Sequence, residues 1–284
     1  MMNLYKILTY AAILLLYTTP STTLANEAFH NDNVNLYNEK NFALGVGVGI
    51  VRFNTNAKVT DKTTGRTIFV DLEGSLNLPE TSQVNTLYGA YKFNQNHSLL
   101  FGYFGIDRSS SLLNINKSFG DVTVEADLKI TDRSRYYYLG YGYNLFRDNR
   151  STITLIAGIN GIDLNYSVDT NGQITWNGTI NSNEKLLNAN IFAPLPMLGM
   201  NFGFAFTSKW SMATKISVVG GSYDGISAKV LQTSINARYK LTNHVGILTG
   251  ITYFVSSISI DDKSDVTDIT YNYAGAFIGM HFGF

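Results

Sequence analysis

The stretch Phe42-Ala-Leu-Gly-Val-Gly-Val-Gly-Ile50 decides how this chain is read. Phe42, Leu44, Val46, Val48 and Ile50 share one parity, and Ala43, Gly45, Gly47 and Gly49 share the other. A period of two belongs to a β-strand, whose successive side chains point to opposite faces. One face is broad and apolar; the other is small. The same alternation recurs at the far end. Phe284, Phe282, Met280, Ile278 and Ala276 stand against Gly283, His281, Gly279, Phe277 and Gly275. A soluble sandwich hides its apolar face in a core and shows polar residues outside. Here the opposite face is glycine-rich and weakly charged, which fits a sheet whose apolar face meets lipid. In hydrocarbon every backbone donor and acceptor needs an internal partner, so such a sheet must close on itself.

Between these ends the alternation predicts ten strands, at about 42–53, 85–93, 98–107, 134–146, 152–166, 194–206, 210–220, 228–241, 244–257 and 270–284. Four connections are short, at 94–97, 147–151, 207–209 and 242–243, and carry the Asn, Asp and Ser chemistry of tight turns. The other five, at 54–84, 108–133, 167–193, 221–227 and 258–269, are read as mostly long. Alternating short turns and long loops is the layout of an all-β, up-and-down antiparallel outer-membrane barrel. The expectation is ten strands, with twelve as the alternative, and both termini periplasmic. Alternating pieces within the long loops, such as Val122–Ile130, predict hairpins that project beyond the bilayer. Tyr136–Tyr143 and Trp210 are read as interfacial aromatic girdles, and Pro194 and Pro196 as the loop-to-strand junction outside the bilayer.

Composition agrees. The chain has 284 residues, 21 Lys+Arg and 21 Asp+Glu, so its formal charge is zero; 45% is hydrophobic. That balance argues against nucleic acid as a partner, because phosphate binding needs concentrated basic charge. With no cysteine there is no disulfide framework, cysteine nucleophile, thiolate metal site or lipoprotein anchor. Residues 1–25 read as a cleaved signal peptide: Lys6, then the apolar run Ile7–Tyr17, then small residues ending at Ala25. The run is too short to span a membrane, which takes ~20 residues. Residues 26–40 read as a periplasmic leader carrying Glu27, Asp32 and Glu39, and 41–284 as the barrel domain.

Several blocks resemble an uncharacterised family of Gram-negative outer-membrane β-barrels, within the small porin-like superfamily. They are Leu100-Phe-Gly-Tyr-Phe-Gly-Ile-Asp-Arg-Ser-Ser110, Tyr138-Leu-Gly-Tyr-Gly-Tyr-Asn-Leu-Phe-Arg-Asp148, Ala193-Pro-Leu-Pro-Met-Leu-Gly199 and Asn243-His-Val-Gly-Ile247. The resemblance implies a bacterial outer-membrane location and carries no activity. The end Phe284, with Phe282 and Met280 before it, resembles the signal by which such barrels are recognised for insertion. It implies the barrel-assembly machinery as a transient partner, with outer-membrane lipids and lipopolysaccharide as the surroundings.

Chemistry is sparse. The glycines of residues 45–49 lack the strand-then-helix setting of a phosphate loop. A rim hydrolase needs a nucleophile or activated water with a general base near the outer rim. His30 precedes the first strand, and His97, His244 and His281 fall at the periplasmic end. No catalytic, cofactor or metal residue is assigned, and no cofactor is implied. Asp107 with Asp163 is the carboxylate pair a hydrolase would have to use. Asp107 and Arg108 are read as a rim pair, either a binding or gating site or an ion pair fixing loop geometry. Asp261, Asp262, Asp265 and Asp268 read as a solvated acidic loop.

The more informative pattern is a set of basic residues predicted to face the lumen in its periplasmic half: Lys92, Lys215, Arg238, Lys240 and His281. They suggest a narrow anion-preferring passage, or a basic mouth that the acidic leader would plug. Ten strands lie near the size at which side chains fill the interior, so a wide pore is not expected. The leading expectation is a non-enzymatic integral outer-membrane protein. It would act through extracellular loops on an unidentified ligand, or in membrane integrity. A small-solute pore comes second and a hydrolase third.

Overall fold

The computed structural model describes residues 41–119, 122–176, 179–182 and 185–284. The signal-peptide and leader readings, with His30, therefore lie outside the described residues. Among the described residues twelve strands form one antiparallel sheet: β1 (Phe42–Asp61), β2 (Thr67–Asp71), β3 (Thr81–Lys92), β4 (His97–Phe119), β5 (Val122–Arg147), β6 (Ser151–Trp176), β7 (Thr179–Ser182), β8 (Lys185–Ala205), β9 (Trp210–Tyr223), β10 (Ile226–Lys240), β11 (Val245–Asp261) and β12 (Asp265–Gly283). Ten of them close into a barrel through β12 against β1, from Ala43 opposite Gly283 to Asp61 opposite Asp265. The other two are short additions, β2 on the edge of β1 and β7 on β6. The barrel count is thus ten, and the extra strands belong to loops. Closure leaves the ring with no free edge, the only sheet geometry that satisfies backbone polar groups in lipid.

The short turns share one device. Asn94 Oδ1 accepts from the N–H of Asn96 and His97 at 2.9 and 3.0 Å. Asp148 Oδ1 accepts from Arg150 and Ser151 at 2.7 and 2.6 Å. Thr207 Oγ1 accepts from Lys209 and Trp210, and Thr242 Oγ1 from His244 and Val245. Each first residue reaches back to the two N–H groups that the reversing chain leaves exposed. Those N–H groups also hold the Asp148 carboxyl below the usual carboxylate range. Phe42 and Phe284 exchange backbone hydrogen bonds at 3.2 and 2.8 Å, so both lie at this short-turn end.

At the opposite end most of the long connections are strand. β4, β5 and β6 run 23, 26 and 26 residues, where ~9–11 suffice to cross a bilayer. The hairpins expected from 108–133 and 167–193 are therefore present as continuous extensions of the barrel wall. Two connections are shorter than expected. The segment 221–227 is not a long loop: β9 and β10 meet through Asp224-Gly225, at φ 48° and 75°. Asp-Gly with both central residues at positive φ is the tight hairpin turn whose twist matches the strands. Likewise only Asp262–Ser264 separate β11 from β12. The result is lopsided, tall from β4 to β8 and low at β9–β10.

Pro194 and Pro196 lie inside β8, opposite Gly161 and Ile159, not at its start. The β8–β9 ladder ends at Met197 opposite Val219, while the β8–β6 ladder continues. Residues that donate no hydrogen bond stand where the strand loses its second neighbour, the edge position proline tolerates.

Side chains sort by parity as the alternation requires. Val46, Val48 and Ile50 on β1, Leu198, Phe202 and Phe204 on β8, and Ile278 and Met280 on β12 all point outward and are exposed. This apolar belt is bounded at one end by Arg52 with Glu80 (2.7 Å) and Asp107 with Arg135 (2.7 and 2.8 Å). Trp210, Phe93, Tyr143 and Phe284 are exposed near the short-turn end. The tyrosine run does not act as one girdle. Tyr137, Tyr141 and Tyr143 face outward, while Tyr136 is buried inside and Tyr138 packs against the inner core. At the bulge between Asn144 and Phe146 both Leu145 and Phe146 turn outward.

Candidate functional site

The lumen divides into two halves of different chemistry. In the long-loop half the strands present Val51, Phe53, Ile106, Ile130, Leu164, Leu195, Val230, Phe254, Ile258 and Tyr271, all buried. The segment between β2 and β3 dips in to add Leu72, Leu76 and Leu78. The same segment brings Glu73 down to Arg108.

Arg108 is the centre of this filling, with its side chain 0% exposed. Its Nε and Nη2 approach Asp132 Oδ2 at 2.9 and 2.8 Å, and its Nη1 donates to Glu73 Oε1 at 2.5 Å. Nη2 also donates to Thr55 Oγ1 at 3.0 Å, and the guanidinium lies 4.0 Å from the Phe53 ring centroid. The second oxygen of each carboxylate is used as well. Ser134 Oγ donates to Asp132 Oδ1 at 2.7 Å, and the Thr55 N–H donates to Glu73 Oε2 at 2.6 Å. A buried ion pair holds only with such geometry and with its remaining polar atoms satisfied. The cluster ties β1, β4, β5 and the β2–β3 segment together across the lumen.

This corrects the expected rim pair. Asp107 and Arg108 are neighbours in sequence and therefore face opposite sides of β4. Asp107 points outward to Arg135, and Arg108 points inward to Asp132 and Glu73. Asp163, opposite Arg135 in the β5–β6 register, belongs to the same outward row, so an arginine stands between the two carboxylates. Asp261 at the loop end pairs with Lys62. Among the described residues no cluster of metal-ligating side chains occurs.

Below this filled layer lies a cavity of about 800 Å³, reaching the short turns at Asn94, Gln95 and Asn144. Its roof is aromatic. Tyr273 stacks between Phe104 (5.2 Å, 12°) and Phe254 (4.6 Å, 7°), and Tyr136 meets Phe254 edge-on at 5.3 Å. Its wall is hydroxyl, amide and cation: Ser98, Thr154, Asn201, Gln232 and Ser234 with Lys92, Arg147, Lys215 and Arg238. No carboxylate lines it among the described residues.

Four of the five predicted lumen residues come together here: Lys92, Lys215, Arg238 and His281. Lys240 instead borders a small recess at the mouth, which it shares with Arg238 and His281. Arg238 Nη1 lies 3.3 Å from His281 Nε2, and its Nε donates to Ser211 Oγ at 3.2 Å. Lys215 places its ammonium 4.0 Å from the Tyr138 ring centroid. Inward glycines set these rings in place. A Cβ on Gly102 would fall 2.0 Å from Tyr138, and one on Gly45 1.8 Å from Tyr88, whose ring stacks on His281 at 6.4 Å. His97 meets Tyr141 and His244 meets the Gly283 carbonyl, both at short turns. The three described histidines thus lie at the short-turn end, as the sequence predicts.

Comparison of the sequence with family models and with curated proteins gives no match. Among solved structures, the outer membrane protease OmpT from Escherichia coli aligns at a TM-score of 0.54 and 11% identity, covering 85% of this chain and 97% of that one. The translocator domain of the autotransporter NalP from Neisseria meningitidis aligns at 0.43 and 11%, covering 97% of both chains. OprG from Pseudomonas aeruginosa aligns at 0.37 and 10%, covering 87% and 97%. The fold is that of an outer-membrane β-barrel. At this identity the likeness to the protease concerns the barrel alone and transfers no residue role.

Arg108 and its partners are the residues that sequence reasoning misplaced. The signal was present in β4, where Arg108 shares its parity with Ser98, Leu100, Gly102, Phe104 and Ile106 and not with Leu99, Phe101 and Tyr103. A charge on the lumen parity is a buried-charge problem that demands partners. Those partners, 24 and 35 residues away, carry no mark in the sequence.

Proposed function

We propose that this protein is an integral bacterial outer-membrane barrel that does not conduct, has no chemistry of its own, and acts through the hairpins of its long-loop end. The observation that supports this reading most is the filled long-loop half, pinned by the Arg108–Asp132–Glu73 cluster at 0%, 0% and 7% side-chain exposure. A passage through the barrel would have to cross that layer. The rim favours the absence of hydrolysis: Glu80 is engaged by Arg52 and Asp107 by Arg135 on the outer face. The apolar belt and its charged upper border favour a membrane location, and by the usual layout of such barrels the short turns face the periplasm. The Phe284, Phe282, Met280 parity, outward on β12, is what a barrel-assembly factor would read. The extended β4–β8 hairpins carry exposed apolar residues such as Leu113, which suit contact with a surface partner.

The orientation has a direct test, helped by the absence of cysteine. Single cysteines at Lys263, in the β11–β12 turn, and at Gln95, in a short turn, are probed on intact cells with a membrane-impermeant maleimide. Lys263→Cys should label and Gln95→Cys should label only after lysis. The reverse pattern would invert the topology and with it the proposed role.

A further inference from the structure

We propose that the cavity under the filled layer is a binding site, open at the short-turn end, for a small amphipathic carboxylate whose apolar body lies against the aromatic roof and whose charge meets Lys215. Lys215 sits on β9 between the turn at Trp210 and the end at Tyr223, so its ammonium lies well inside the barrel. Among the described residues its ammonium meets the π face of Tyr138. A cation–π contact offsets only part of the cost of taking an ammonium from water, and an anion offsets far more. Its register partners Asn201 and Ser234 are neutral and line the same cavity.

The shape points the same way. A volume near 800 Å³ lies within the ~300–1,000 Å³ of small-molecule sites, which are mainly apolar with a few placed polar groups. The roof offers the stacked faces of Phe104, Tyr273 and Phe254. Polar amides lie at the mouth and the charged groups between. That gradient orders a ligand with its apolar end innermost. A cation would be repelled by Lys215, and a neutral aromatic would leave its ammonium without a counter-charge among the described residues. This site lies below the filled layer, so it stands independently of how the loops act.

The test uses chain 26–284 refolded in zwitterionic-lipid nanodiscs, titrated calorimetrically with 2-naphthoate and with neutral 2-naphthalenemethanol. The ring system is the same and only the charge differs. Naphthoate should bind one to one and about tenfold more tightly than the alcohol, the order expected of one charge-assisted contact. Lys215→Met should erase the difference between the two probes. Asn201→Asp, which sets a carboxylate opposite Lys215, should erase it too, and serves if Lys215→Met fails to insert. Equal affinities for both probes in the unaltered protein, or a preference that survives both substitutions, would overturn the proposal.

Discussion

Arg108 shows how much one parity step decides. Shifted by a single position it would lie in the outward row with Asp107 and Arg135, where exposed pairs contribute little. On the inward parity it is walled in by Phe53, Tyr271, Asp132 and Glu73. Removing one partner of such a cluster leaves the others charged and buried. Arg108→Ala should therefore destabilise the barrel by about 3–5 kcal/mol in urea unfolding from detergent. The triple change Arg108→Met, Asp132→Leu and Glu73→Gln should recover most of that loss, because apolar groups can replace a buried ion cluster at little cost. A single variant as stable as the parent would mean that the cluster is hydrated.

At the scale of elements, the strands were legible because the barrel imposes one rule on every one of them. Lipid selects the outward parity, and the small or polar lumen selects the inward parity. The first and last strands, Phe42–Ile50 and Ala276–Phe284, state that rule in full. The four short turns were legible from their Asn, Asp and Ser content, while the acceptor role of Thr207 and Thr242 was not read in advance. What the sequence hid was where strands stop. Beyond the bilayer no lipid enforces the alternation, so the ends of β4, β5 and β6 were not fixed, although the alternating piece Val122–Ile130 already predicted a projecting hairpin. Asp224-Gly225 was the overlooked signal, a two-residue hairpin inside a segment read as long. Gly225 stands at φ 75°, and a Cβ there would lie 2.8 Å from the Asp261 carbonyl oxygen. Gly225→Ala should cost about 1–2 kcal/mol, seen as a lower urea midpoint, whereas Gly65→Ala meets open space and bears the φ cost alone. Equal midpoints for the two variants would count against the crowding of this turn.

At the scale of the whole molecule, parity predicted that Lys92, Lys215, Arg238 and His281 face inward, and they share one cavity, but the inward Arg108 and Arg147 were missed. It could not show that the long-loop half of the lumen is packed with buried side chains. That depends on contacts between residues far apart in sequence, Glu73 with Arg108 and Phe104 with Tyr273, and on a loop folding back into the barrel. The basic lumen, which as sequence suggested a passage, becomes in three dimensions a cup beneath a filled half. Ten strands are near the limit at which side chains can fill the interior, and this protein fills half of it.

The filled layer is therefore the feature on which the account turns, and planar-bilayer conductance of the folded 26–284 chain tests it most directly. Heat-modifiable, folded protein that inserts and stays silent, with steps appearing in Arg108→Ala, is the expected result. Reproducible ion-selective steps from the unaltered protein would contradict it.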